Sequence, residues 1–314
     1  MKTLQKRRNT DMCGLFGFVH YGENQIKNLS DLTKSLAEHS AVRGTDATGI
    51  AYVRNNNIQI QKEARSAYTM NFKHPDNIKT LIGHTRHATH GNASKNYNSH
   101  PFFGKAGNTR FALAHNGVLC NSFLNLPKTK IETDSYAAVQ LIEKQKKLSF
   151  DSLRTMAETV SGSFSFSILD QHENLWLVKG DNPLSILHFP KKQIYVYAST
   201  DEILYKAIID SPLFYELKSH DYEEIPITDE TILKINADGT LESESFKMRE
   251  SCYRTGWWEY DFYADPVIVK DIDQEYMEAL RTMALFNGIE PEQIDYLIES
   301  GFTLEEIEDV IYEM

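Results

Sequence analysis

Apolar and polar positions alternate in short runs through much of this chain. Segments 14–19 (GLFGFV), 49–53 (GIAYV), 111–117 (FALAHNG), 163–170 (SFSFSILD), 175–180 (LWLVKG) and 194–199 (IYVYAS) read as β-strands. Several place apolar residues at every second position, as a half-buried strand does. Segments 28–40, 133–145, 152–160 and 199–209 instead repeat their apolar residues at helical spacing, with cap residues at their starts. Strands and helices mix without strict alternation, which predicts an α+β fold of antiparallel sheets covered by helices. Near the end, Pro291 opens one helix signal that Gly301 closes, and Thr303 stands at capping-box distance from Glu306 ahead of Ile307, Val310 and Ile311.

Length and charge refine this picture. The 314 residues suffice for one large domain and a small appendage. From Asp271 onward thirteen acidic residues face a single basic one, Arg281, so the tail carries a net -12 and the preceding 270 residues +1, against -11 for the whole chain. The boundaries expected are a leader over 1–12, a body over 13–246, an aromatic-rich linker over 247–270 and an acidic helical tail over 271–314. No basic stripe marks a nucleic-acid surface. No apolar run approaches the ~20 residues a bilayer requires, and the polar leader lacks the apolar middle of an export signal. Three cysteines, Cys13, Cys120 and Cys252, form no disulfide framework, and the cytoplasm is the expected compartment. No metal-ligand spacing occurs, and no cofactor is expected.

Four local patterns carry chemistry. Cys13 follows Met12; were it the first residue, its α-amine, with an ordinary pKa of ~7.7–8.0, would take the proton from its own thiol. In Gly83–Gly91 (GHTRHATHG), Arg86 offers a planar fork for a carboxylate, and Thr89 offers a further donor; read alone, the segment is a surface strand. Asn116-Gly117 is by itself a turn signal, but the amide and the glycine N–H form a candidate oxyanion hole. Asp134, in Glu132-Thr133-Asp134-Ser135 at a helix start, is either a cap or the partner of an ammonium group.

In this order the motifs resemble the class II, N-terminal-nucleophile glutamine amidotransferases. CGLFGFV is similar to their nucleophile strand, and Arg43-Gly44-Thr45-Asp46-Ala47-Thr48-Gly49 to their RGxDxxG segment. HTRHATHG, Asn98-Ser99-His100-Pro101, HNG, TDS, the 177–184 stretch and Ala198-Ser199-Thr200-Asp201 resemble their later landmarks. The likeness runs from Cys13 to Asp201 and fades by Phe246. It implies a four-layer αββα sandwich with a small C-terminal helical extension. It also implies Cys13 as nucleophile and, through its amine, base, with Asn116 and Gly117 as oxyanion hole. Arg86, helped by Thr89 and His90, would hold the α-carboxylate of glutamine, and Asp134 the α-ammonium; Arg43 and His100 would surround the pocket. His87 stands where the family commonly has Trp or Tyr.

Because Cys13 lies behind twelve residues, either the leader is removed or translation starts at Met12. These residues contain no pyrophosphatase SGGxDS loop, no phosphoribosyl-diphosphate motif and no sugar-isomerase module, so a separate ammonia-using protein is the expected partner. The alternatives are an N-terminal-cysteine acylase on other amides and a non-catalytic regulatory homologue.

Overall fold

The computed structural model describes residues 13–23, 26–88, 91–92, 94–120 and 124–249, together with Arg281, Ala284, Ile289 and Ile311. Contacts divide the chain into two compact units, 1–255 and 256–314. In the first, the strands are β1 (Gly14–His20), β2 (Ala47–Arg54), β3 (Asn57–Glu63), β4 (Thr80–Arg86), β5 (Phe102–Ala106), β6 (Thr109–Leu119), β7 (Gly162–Asp170), β8 (Leu175–Lys179), β9 (Ser185–Phe189), β10 (Ile194–Ala198), β11 (Glu223–Glu224), β12 (Thr231–Ile235) and β13 (Leu241–Ser245). The helices are α1 (Leu29–Ser40), α2 (Tyr136–Lys144), α3 (Phe150–Thr159), α4 (Asp201–Ile209) and α5 (Phe214–Lys218). Of the second unit, Arg281, Ala284 and Ile311 are helical, and Ala284, Ile289 and Ile311 are buried. The remaining tail positions, the leader and linker residues 250–270, Cys252 among them, lie outside the described residues.

Seven strands form one sheet in the order β11-β9-β10-β1-β4-β2-β3, and six form a second in the order β13-β12-β8-β7-β6-β5. All neighbours are antiparallel. Three apolar layers separate four structural ones. Phe16, Phe18, Leu81 and Val196 of the first sheet pack with Leu32 and Leu36 of α1 and Leu204 and Ile208 of α4. Phe111, Leu113, Phe164 and Phe166 of the second pack with Val139 and Ile142 of α2 and Leu153 and Met156 of α3. Leu15, Val19, Ile82, Ala112, Ala114 and Leu177 fill the space between the sheets. This is the expected αββα sandwich.

Local sequence explains the elements. Ser149 caps α3 in a reciprocal capping box with Ser152, and the Thr200 side chain accepts the Ile203 N–H at the start of α4, each cap being worth about 1 kcal/mol. The serines of β7 behave differently from expectation. Alternation in SFSFSILD predicts one wet face, yet Ser165 and Ser167 are fully buried between the sheets. The phenylalanines take the wider helix-facing layer, and the small serines let the sheets approach. β4 likewise is no surface strand: it lies between β1 and β2 with all seven residues buried. Among the described residues no helix is long and apolar enough to cross a membrane.

Candidate active site

Cys13 immediately precedes β1, a central strand fixed on both sides. At its start, Leu15 N–H donates to Ser199 Oγ at 2.8 Å, and Ser199 N–H donates to the Leu15 carbonyl at 2.9 Å. Arg43, 1% exposed, donates through Nε to the Cys13 carbonyl at 2.8 Å. The Cys13 thiol donates to the His87 carbonyl at 3.5 Å. Burial pushes this thiol up to about 11, with the Asp134 carboxylate adding to the rise and the His87 backbone, Arg86 and Arg43 opposing it. Among the described residues no imidazole or carboxylate hydrogen-bonds to the sulfur. A carbonyl cannot accept the proton as a base, so these side chains alone leave the thiol inert at neutral pH.

Arg86 ends β4 beside the nucleophile. It is 3% exposed, and its Nη2 donates to the Gly91 carbonyl at 3.1 Å. Burial lowers the guanidinium pKa, while Cys13, Asp46, Asp134 and Glu132 work to keep it charged. The 43–49 segment wraps its backbone. Asp46 N–H donates to the Arg86 carbonyl at 3.0 Å, and Asp46 Oδ2 accepts the Ala88 N–H at 2.8 Å. A Cβ on Gly44 would run into the Arg86 carbonyl group, so only glycine admits this approach.

Beyond Arg86 the chain is stapled to the Asp134 segment by two residues to which the sequence assigned no role. Glu132 accepts Asn92 N–H at 3.0 Å and Asn98 Nδ2–H at 2.6 Å, and Lys95 pairs with it at 3.2 Å. Asn98 Oδ1 in turn accepts the Glu132 N–H at 3.0 Å. Their only sequence signal was adjacency: Glu132 precedes Thr133-Asp134, and Asn98 opens the Asn98–Pro101 motif.

The second sheet supplies Asn116 and Gly117. They form no turn: both lie within β6, opposite Ser165 and Phe164 of β7. Gly117 has φ +140°, and a Cβ there would collide with the Ser163 carbonyl. The Asn116 carbonyl accepts from Asn182 Nδ2 at 2.9 Å, and the Asn182 carbonyl accepts from Ser165 Oγ at 2.9 Å. The Asn116 side chain is fully buried, and neither its oxygen nor its nitrogen has a hydrogen-bond partner among the described residues. Asn182, inside the 177–184 stretch, is another residue whose role the sequence did not reveal.

Asp134 is half-buried and does not cap α2. Its Oδ2 accepts the Leu119 N–H at 2.6 Å and its Oδ1 the Ser135 N–H at 2.9 Å, which pins the carboxylate to the end of β6. One hydrogen bond links the two sheets near these groups. His84, opposite Leu15 in the β1–β4 ladder, meets the His115 carbonyl through Nε2 at 2.9 Å. Asn116 is the next residue after His115 on β6. Arg43, Arg86 and Asp134 lie within electrostatic reach of the Cys13 thiol.

His100 is 4% exposed and sits behind this end, with its ring 4.1 Å from that of His84 and 4.5 Å from that of Phe102. Thr89 and His90 lie outside the described residues. Among the described residues no cluster of three metal-binding side chains occurs. What the site offers is a thiol, a buried cation, a pinned carboxylate and an uncommitted amide.

Residues 12–153 match the family of class-II glutamine amidotransferases. Over 312 residues the chain is 29% identical to glutamine–fructose-6-phosphate aminotransferase (isomerizing) of Bacillus cereus, covering 92% of this chain and 50% of that protein. The Streptococcus agalactiae protein of the same name is 28% identical, with 84% and 43% covered. The chain thus spans about half the length of these curated relatives. The structure of glutamine phosphoribosylpyrophosphate amidotransferase from B. subtilis, complexed with ADP and GMP, superposes with a TM-score of 0.58 at 20% identity, over 76% of this chain and 50% of that one.

Proposed function

We propose that this chain, whose residues 12–153 match the class-II glutamine amidotransferases, hydrolyses the side-chain amide of glutamine and passes the ammonia to an acceptor on a separate protein. The observation that carries the reading is the juxtaposition at Cys13: a buried guanidinium and a pinned carboxylate, both within electrostatic reach of one thiol. Arg86 and Asp134 match the opposite charges at the amino-acid end of glutamine. That leaves the amide end for the thiol, which a simple amide-cleaving acylase would not need two charges to align.

In this reading Cys13 is residue one of the active chain. Its α-amine takes the thiol proton as sulfur attacks the amide carbon. The developing oxyanion is met by the Asn116 amide and the Gly117 N–H. Collapse of the adduct breaks the C–N bond, and the ammonium of Cys13 returns its proton to the leaving nitrogen, so ammonia departs and a thioester remains. Water, deprotonated by the same amine, then attacks the thioester, releasing glutamate and restoring the thiol. Arg43 holds the Cys13 carbonyl and Ser199 the Leu15 backbone two residues on, contacts that leave the sulfur unoccupied.

The test compares chains beginning at Met1, Met12 and Cys13, with intact mass read on each active preparation. Ammonia release should require Cys13 as the first residue, and activity should rise with pH through the ~7.7–8.0 range of an α-amine, because the base acts unprotonated. Cys13→Ala should abolish turnover, whereas Cys120→Ala should keep it. Full activity in protein still bearing residues 1–12 would refute the amine as base. The acceptor is tested by recovering a protein that converts glutamine-derived ammonia only when this chain is present.

A further inference from the structure

Besides the residues already placed at the site, a line of buried polar groups crosses the molecule and no step of the reaction uses it. It begins at His84 on β4, two residues before Arg86. His84 Nε2 meets the His115 carbonyl at 2.9 Å, and so joins the first sheet to the second. The His115 ring meets Ser135 Oγ through Nδ1 at 2.8 Å. Ser135 Oγ lies 3.3 Å from Asp134 Oδ1, which the Ser135 N–H also reaches at 2.9 Å. His84, His115 and Ser135 are each 3% exposed or less. The line therefore starts beside the proposed carboxylate grip and ends on the proposed ammonium grip.

We propose that His84, His115 and Ser135 are positioning residues that set the spacing between Arg86 and Asp134, and thereby the selectivity of the site for an α-amino acid. This rests on the glutaminase reading above. Arg86 ends a strand of the first sheet while Asp134 is pinned to the end of a strand of the second, and apolar packing between sheets is non-directional. Directional bonds are what fix two points across such an interface to the few tenths of an ångström that substrate alignment demands.

Proton bookkeeping agrees with the assignment. His84 Nε2 faces a carbonyl, so it carries the hydrogen. Ser135 has one hydroxyl hydrogen and two neighbours, an imidazole nitrogen and a carboxylate. The charged acceptor takes it, and His115 then donates its Nδ1–H to the serine oxygen. Each donor points toward Asp134. Stacking on Phe166, at 4.7 Å between ring centres, holds the His115 ring in this orientation. The ring is thus packed on one side and bonded on the other, and phenylalanine can replace the packing without the bond.

The experiment measures native enzyme, Ser135→Ala and His115→Phe with glutamine and with glutaric acid monoamide, which lacks the α-amino group. Both variants should raise the glutamine KM roughly tenfold, about the worth of one hydrogen bond to a charged group. Their kcat should change little, and kcat/KM for the monoamide should stay within about twofold. Ser135→Thr, which keeps the hydroxyl, should restore the glutamine KM. Ser135→Ala removes one atom, so it carries the test even if His115→Phe does not fold. Equal losses on both substrates, or an unchanged glutamine KM in Ser135→Ala, would overturn the proposal. A native enzyme that releases no ammonia sinks the glutaminase reading and this inference with it, whereas an active one with indifferent variants sinks this inference alone.

Discussion

The two sheets bring different things to the site. At the end of the first, bonds to the backbone hold the nucleophile's surroundings: Ser199 and Arg43 Nε hold the strand of Cys13, and the 43–49 segment holds the backbone of Arg86. At the facing end of the second stand two buried asparagines with opposite habits. Asn182 spends its side chain and its carbonyl on Asn116 and Ser165. The Asn116 side chain spends nothing. Leaving a buried amide unpaired costs about 1–3 kcal/mol, a cost a fold seldom carries without return. In the reading proposed above, Asn182 shapes the site and Asn116 meets the oxyanion.

The strongest way to break this comparison is to truncate both asparagines. Asn116→Ala should lower kcat by roughly 10²–10³, the usual loss for one oxyanion donor, and leave the thermal midpoint at or above its native value because no side-chain hydrogen bond is lost. Asn182→Ala should do the reverse in stability, lowering the midpoint, with a smaller loss of kcat through a displaced Asn116. If Asn116→Ala proves the less stable of the two, the asparagine is structural and the oxyanion assignment fails.

A milder change sharpens the contrast between the two charged grips. Arg86→Lys keeps the charge but loses the planar fork, so the glutamine KM should rise about tenfold, near 1.4 kcal/mol, with kcat nearly intact. Steady-state kinetics decide it, and an unchanged KM would remove Arg86 from substrate binding.

The smallest effect at neutral pH lies in the seam between the sheets. Burial holds His84 down to about 3 and His115 down to about 4, and it lowers His100 as well. Their folded pKa values lie below the unfolded value of ~6.5, so the unfolded chain binds more protons below that pH. Stability is therefore full above about pH 6.5 and is lost as pH falls toward about 4, by roughly 2 kcal/mol for one such imidazole at pH 5. Melting curves from pH 7.5 to 4.5 should fall accordingly. His100→Phe, which removes one titrating ring, should flatten the fall; an equally steep curve in that variant would place the acid sensitivity elsewhere.

Much of this was legible beforehand. The segments at 14–19, 49–53, 111–117, 163–170, 175–180 and 194–199 are all strands, and those at 28–40, 133–145, 152–160 and 199–209 all contain helices. Strands β3, β5, β9, β11, β12 and β13 and helix α5 carry weaker sequence signals. Most lie toward the sheet edges, where polar residues weaken the alternation: β13, for example, is LESES and wholly exposed.

Local pattern determined which segments extend and which coil, because backbone geometry fixes the periods of two and 3.6 residues. Motif order also determined which side chains to inspect, Cys13, Arg86, Asn116, Gly117 and Asp134 among them. It did not determine faces or partners. An alternating serine reads the same whether it meets water or a second sheet, and only the packing of β7 buried Ser165 and Ser167. Asn116-Gly117 reads as a turn until β7 pairs with it. Glu132, Asn98 and Asn182 acquired their bonds from residues distant in the chain. Periodicity is a property of neighbours along the backbone, whereas burial, hydrogen-bond satisfaction and the meeting of charges are properties of neighbours in space, which the two sheets create only on closing over one another.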